Sequence, residues 1–277
     1  MTTVLTEHHI TEEEFRRISD MVYDHCRINL HDGKKDLVRA RLAKRLRMGN
    51  FASVSEYLDF LKSDESGREF TALIDSLSTN LTSFFRESVH FDYLRERILP
   101  ELRTNRQHRD SLRAWSAGCS TGEEAYSLAM TLLDDLGDGW DIRLLATDIS
   151  TRVLAAARRG IYPAARVDSV PPLLRQKYFR PIREAGSKMY EVTPELRRVV
   201  HFRYLNLMDQ WPFRGPFDFI FCRNVMIYFD KPTQQDLVER FHQLLRPGGL
   251  LFTGHSESLT GITHRFRYVQ PSVYAKA

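Results

Sequence analysis

Apolar side chains recur every three or four positions through the first part of the chain. From Leu112 onward the rhythm changes to short apolar runs separated by amphipathic stretches. In the first region Phe15, Ile18, Met21 and Val22 share one helical face, and Thr11 with Glu14 supplies a capping-box start. Gly33 precedes a second predicted helix that runs to about Met48 and stops at Gly49-Asn50. Ser53 or Ser55 starts a third, carrying Tyr57, Leu58 and Leu61. Gly67 parts it from a fourth with Phe70, Leu73, Ile74 and Leu77. A small helical bundle is the expected result.

The second region predicts strands at Leu112–Ala117, Ile142–Thr147, Val199–Tyr204, Phe217–Cys222 and Gly249–Thr253. Helices are predicted between them at Glu123–Leu136, Thr151–Arg159 and Pro232–Leu245. Such alternation implies right-handed crossovers and a parallel sheet covered on both faces. Phe266–Val269 and Val273–Ala275, parted by a Pro-Ser turn, form a terminal antiparallel hairpin. The long connection from about Gly160 to Arg198 carries a helix (Pro171 to Gln176) and two short strands, Tyr178–Ile182 and Met189–Val192. Connections of this length are usually functional inserts. The fold class is therefore α/β and Rossmann-like, with a mostly parallel sheet, a terminal antiparallel hairpin, an N-terminal all-helical domain and a small inserted antiparallel β-subdomain. A sheet finished in this way is the arrangement of S-adenosylmethionine-dependent methyltransferases.

The chain has 277 residues, 42% apolar and 27% charged, as in ordinary globular proteins. No run is long and apolar enough to span a bilayer, and the polar N-terminus is no secretory signal. Cys26, Cys119 and Cys222 are widely spaced and odd in number, which fits a reducing cytoplasm and neither a disulfide framework nor a cysteine zinc site. The histidines show no metal spacing, so no metal is expected.

Trp115-Ser-Ala-Gly-Cys-Ser-Thr-Gly-Glu-Glu124 joins a strand to a helix through small residues, as a backbone that closely approaches a ligand requires. Asp148 closes the next strand, placed to accept hydrogen bonds from ribose hydroxyls. By themselves, Glu124 reads equally as a first-turn acid stabilised by the helix dipole, and Asp148 as an N-cap with Ser150 as its rival. No Gly-x-Gly-x-x-Gly follows a strand, which disfavours a nicotinamide dehydrogenase. Gly254-His-Ser-Glu-Ser258 lacks the final glycine of a hydrolase nucleophile elbow.

Further blocks follow in order: Asn80-Leu-Thr-Ser-Phe-Phe-Arg86, Ala117-Gly-Cys-Ser-Thr-Gly-Glu-Glu124, Ala146-Thr-Asp-Ile149, Asn206-Leu207, Cys222-Arg-Asn-Val-Met-Ile-Tyr-Phe229 and Gly254-His-Ser-Glu257. Together they resemble the CheR family of chemoreceptor glutamate O-methyltransferases over nearly the whole chain. The resemblance implies methyl transfer from S-adenosylmethionine to receptor glutamate carboxylates, leaving S-adenosylhomocysteine. It places cofactor contacts at Asn80, Thr82, Arg86, Glu124, Asp148, Asn206, Leu207, Arg223 and Asn224, and sets Arg86 and Tyr228 beside the transferring methyl. It implies a helical, receptor-docking domain at 1–78, a linker at 79–100 contributing cofactor contacts, and a methyltransferase domain at 101–277 with its insert at about 172–198.

A carboxylate is already nucleophilic at neutral pH, so no general base is needed. The site must hold it in line at about 3–3.5 Å, and Arg86 and Tyr228 are expected to orient it rather than activate it. Lys34, Arg41 and Arg45 fall on one helical face among Lys35, Arg39, Lys44 and Arg47. The segment is a solvated helix or a docking face for glutamate-rich cytoplasmic receptor helices; without interleaved aromatics, nucleic acid is not expected. The insert around Gly186 resembles the sheet to which some family members add a receptor C-terminal tail, though its loop is poorer in glycine. A cytoplasmic monomer is expected. The rivals are a cofactor-binding adaptor without turnover, and a methyltransferase of another substrate on the same fold.

Overall fold

The capping box at Thr11 forms as the sequence predicts. Thr11 Oγ1 accepts from the Glu14 backbone N–H at 3.2 Å, and Glu14 accepts in return from the Thr11 N–H at 2.9 Å. The computed structural model describes residues 10–30, 32–78, 80–104, 111–137 and 139–277. Contacts divide the chain into two compact units, Met1–Thr79 with Tyr228–Asp230, and Asn80–Ile227 with Lys231–Ala277.

The first unit holds α1 (Glu12–Cys26), α2 (Lys35–Gly49), α3 (Val54–Ser63) and α4 (Arg68–Leu77). Ser53, not Ser55, caps α3, and a short 3-10 turn at Asp32–Lys34 leads into α2. Phe15, Ile18, Val22, Leu42, Leu46, Leu58, Leu73 and Ile74 form the buried interior. Bonds that join Tyr228–Asp230 to this unit include one from the Asn29 N–H to the Tyr228 carbonyl at 2.8 Å and one from the Tyr23 hydroxyl to Asp230 at 2.5 Å.

The second unit opens with α5 (Val89–Tyr93), a π-helical turn at Leu94–Ile98 and α6 (Leu99–Thr104), elements the sequence reading did not find. Then follow β1 (Ser111–Ala117), α7 (Glu123–Leu136), β2 (Asp141–Asp148) and α8 (Thr151–Arg159). The insert comprises β3 (Ile161–Pro163), α9 (Ala164–Val167), α10 (Pro172–Tyr178), β4 (Phe179–Glu184), β5 (Ser187–Val192) and α11 (Pro194–Val199). The unit closes with β6 (Val200–Tyr204), β7 (Phe217–Cys222), α12 (Lys231–Leu244), β8 (Leu245–Thr253), β9 (Phe266–Gln270) and β10 (Val273–Lys276).

The main sheet runs β6-β2-β1-β7-β8-β10-β9, and its strands pair in parallel except at β10, which is antiparallel to both neighbours. Strand order reverses between β1 and β7, so the ligand crevice of such a fold lies at their carboxyl ends. Leu112, Ala114, Leu144, Ala146 and Phe202 bury one sheet face with Tyr126, Leu128 and Leu132 of α7 and Leu154 of α8. No described helix is long and apolar enough to cross a membrane.

The insert sheet has three antiparallel strands, ordered β3-β5-β4, where the sequence predicted two. The Val192 N–H points to the Gly160 carbonyl at 2.9 Å, towards β3. By alternation the nitrogen of Pro181, paired opposite Tyr190, faces the outer rim of β4, where a missing N–H does no harm.

Candidate functional site

At the end of β1, Gly118 (φ 87°), Ser120 (φ 48°) and Gly122 (φ 97°) all lie in the left-handed region, bending the chain sharply into α7. A Cβ on Gly118 would sit 2.3 Å from Val225 Cγ2, so two loops approach here with no room for a side chain. Asp148, at the end of β2, accepts from the Ser120 N–H at 2.8 Å and the Ser150 N–H at 2.9 Å. These two donors fix the orientation of the carboxylate. Ser150 itself caps α8, so the N-cap alternative for Asp148 does not hold. Cys26, Cys119 and Cys222 are buried free thiols.

Glu124 occupies the first turn of α7 and accepts from the Ser116 hydroxyl at 2.7 Å. Burial raises its pKa, and Arg223, 3.4 Å away, works against that rise. Arg223 is itself buried; it pairs with Glu87 at 3.0 Å and donates to the Arg86 carbonyl. Burial pushes the Glu87 carboxyl up, but attraction and hydrogen bonding from Arg223 outweigh it and leave the pKa lowered. One buried cation thus ties the loop after β7 to α7 and to the Arg86-Glu87 turn.

The Asn80 carbonyl accepts from the Ser120 hydroxyl at 3.1 Å, while the Asn80 side-chain Nδ2 is buried without a partner. An unsatisfied donor beside this turn and an oriented carboxylate at Asp148 suit a polar, ribose-bearing ligand. The Arg86 guanidinium is half-buried and donates to the Leu81 carbonyl at 3.0 Å. Thr82 is half-buried with no described hydrogen bond. Asn206 accepts from the Met208 N–H at 3.1 Å and donates to Asp209 at 3.1 Å, holding its own turn after β6. Leu207 is buried beside it, its carbonyl accepting from Trp211 and Arg240. Tyr228 groups with the helical unit, where the Lys34 ammonium lies 4.8 Å from its ring centroid.

Glu257 has no role that is readable from the sequence. It is a buried clamp: Oε2 accepts from Asn224 N–H at 2.6 Å and Gly254 N–H at 2.7 Å, and Oε1 from Ile227 N–H at 3.1 Å. Burial raises its pKa and the backbone donors oppose the rise. Asn224 is held at φ 59°, so this carboxylate offsets the strain of the turn carrying Arg223 and Asn224. Glu257→Gln turns an amide donor against one of those N–H groups. It should weaken S-adenosylhomocysteine binding about tenfold and lower Tm by about 4 °C. Calorimetry and thermal melts check this; native values in both would remove the clamp's importance.

Histidine spacing gave no metal pattern, yet folding brings Glu87, His90 and His255 together with ligand atoms within 4.8 Å. The positive Arg223 already engages that glutamate.

The three cations expected at the docking face each have a neighbour within the helical unit. Arg45 forks onto Glu69, which also accepts from the Tyr57 hydroxyl at 2.8 Å. Arg41 donates to the carbonyls of Leu77 and Ser78 at the end of α4, at 2.5 and 2.9 Å. Lys34 is half-buried on Tyr228, and burial lowers its pKa. Helical spacing located the face but not the neighbours that occupy it. Lys44 and Arg47 remain exposed.

A mostly parallel sheet ending in an antiparallel hairpin, with this crevice at its switch point, defines a methyltransferase that uses S-adenosylmethionine. The CheR methyltransferase SAM-binding domain matches residues 80–275, and the CheR methyltransferase all-alpha domain matches residues 13–78. The chain belongs to the CheR family. It is 43% identical to the chemotaxis protein methyltransferase of Escherichia coli, over 96% of this chain and 91% of that one. Identity is 41% to the Borreliella burgdorferi protein of that name, covering 96% and 95% of the two chains. Chemotaxis protein methyltransferase 2 of Pseudomonas aeruginosa is 42% identical, with 98% and 95% covered.

Proposed function

We propose that this chain methylates glutamate side chains in the cytoplasmic helices of chemoreceptors, forming methyl esters and S-adenosylhomocysteine. The observation that carries this reading is the crevice at the β1/β7 switch point, built around Asp148, Glu124 and Arg223, in a chain of this family. When bound, the cofactor supplies an electrophilic methyl on a sulfonium.

The residues here bind and orient. Asp148, oriented by the Ser120 and Ser150 backbone donors, accepts from the ribose hydroxyls. Asn80, Thr82, Asn206, Leu207 and Asn224 line the adenosine and methionyl contacts, and Glu124 with Arg223 sets the local charge. Arg86 and Tyr228 hold the substrate carboxylate through its non-attacking oxygen. Attack neutralises charge, so a strong ion pair on the attacking oxygen would slow it. Receptor docking falls to the exposed Lys44 and Arg47 of α2, while Lys34, Arg41 and Arg45 shape that helix from within. The protein works in the cytoplasm as a monomer, and a receptor tail adds to the insert sheet where the receptor provides one.

Incubation with radiolabelled cofactor and chemoreceptor-bearing membranes tests the reaction. Label should enter receptor protein and leave as methanol in alkali. Alkali-stable label would instead indicate N-methylation, and cofactor binding with no transfer would indicate an adaptor. Tyr228→Phe should lower kcat about tenfold with S-adenosylhomocysteine affinity within about twofold. Equal loss of both would contradict an orienting role.

A further inference from the structure

Parallel sheets are ordinarily covered on both faces. Here the connection from β6 to β7, residues 205–216, contains no helix, and the sheet face beneath it is left open on β2 and β6. Register places Arg113 beside Arg143, and Leu145 beside both Trp115 and His201, so these side chains share that face. Trp115 is covered by Trp211, Phe213 and Phe241. On the other two strands Arg143, His201 and Arg203 are exposed and Leu145 is half-buried.

A groove of about 380 Å3 lies there, lined by Arg113, Arg143, Leu145, His201, Arg214 and Phe217 among others. It sits at the amino-terminal ends of the strands, since Ser111 and Phe217 begin β1 and β7, whereas the cofactor crevice is at the carboxyl ends. Its charge is one-sided. Asp141 beside it is shared between Arg113 at 2.6 Å and Arg143 at 3.2 Å. Arg214 is exposed and has no ion pair or hydrogen bond among the described residues. His201 has its pKa lowered chiefly by partial burial, with the cations Arg203 and Arg143 adding to the shift.

We propose that this groove is a second ligand site, for a nucleoside diphosphate. Arg143 and Arg214 hold the phosphates, and Leu145 and Phe217 form the apolar floor for the base. Guanidinium groups are the natural partners of phosphate oxygens, and a volume of this size is that of a small-molecule site. The ligand would enter independently of the methyl donor.

The test is calorimetry on the full chain saturated with S-adenosylhomocysteine, so that the adenosine crevice is closed to the probes ADP, pyrophosphate and inorganic phosphate. ADP should bind one per chain with a submillimolar constant, at least about tenfold tighter than pyrophosphate. Arg143→Ser combined with Arg214→Ser should weaken ADP about tenfold or more, as should Arg214→Glu alone, with S-adenosylhomocysteine affinity unchanged as the check on folding. Absence of saturable ADP binding, equal affinity for pyrophosphate, or ADP binding indifferent to Arg214→Glu would each overturn the proposal.

Discussion

Asp148→Ala should weaken S-adenosylhomocysteine binding about a hundredfold or more, the largest loss expected from any single change at the crevice. In the proposed role, Asp148 makes two charge-assisted bonds to ribose hydroxyls, each about 1.5–3 kcal/mol, and the variant would remove both. The variant also strands the Ser120 and Ser150 N–H groups that this carboxylate accepts from. Asp148→Asn separates the two effects: it keeps the shape and one acceptor, so the turn should persist while affinity still falls about tenfold. Calorimetry reads the affinity, and thermal melts read the turn. A dissociation constant within about threefold of native for Asp148→Ala would remove this residue from the cofactor site.

His90→Phe should flatten the acid side of the stability curve. His90 is fully buried and neither ring nitrogen makes a hydrogen bond; burial, helped by Arg223 and His255 and opposed by Glu87 at 3.7 Å from Nδ1, pushes its pKa down to about 4. The folded chain therefore keeps this imidazole neutral, while the unfolded chain takes up a proton near pH 6.5. Stability from this group is full above pH 6.5 and is lost as pH falls towards 4. The loss totals about 3 kcal/mol, of which about 2 is expressed between pH 7 and 5. Phe221 and Phe252 pack edge-on to the ring, so phenylalanine suits the cavity. Glu124, with its raised pKa, acts in the opposite sense, because the folded chain holds its proton more readily. The diagnostic quantity is therefore the difference between variant and native urea unfolding at each pH. Parallel curves would show that this histidine does not titrate as its surroundings imply.

Local chemistry made the centre of the site readable. Gly118 and Gly122 are dictated by left-handed backbone, and Asp148 by its place at a strand end. Each is visible within a short window. Glu257 was not readable as a clamp, because its partner Asn224 lies 33 residues away and only folding joins them. The partners of Arg41 and Arg45 were not readable for a related reason: periodicity names a face but not the Glu69 or the Leu77 carbonyl that meets it. The helical stretch from α5 to α6 escaped notice where its π turn shifts the phase of the apolar positions. β3 is too short, and too close to a proline, to register as a strand. Tyr178 was assigned to a strand although it ends α10, a boundary that apolar content does not mark.

Pro181 has a bearing on any peptide that would extend the insert sheet. A newcomer annealing along the exposed flank of β4 would find an amide donor at Arg183 but a blank rung at Pro181, and the Phe179 N–H beyond it is already taken by the Arg175 carbonyl. The flank is thereby a poor template for indiscriminate strand growth. A segment that does settle there must draw its selectivity from side-chain fit on either side of the gap.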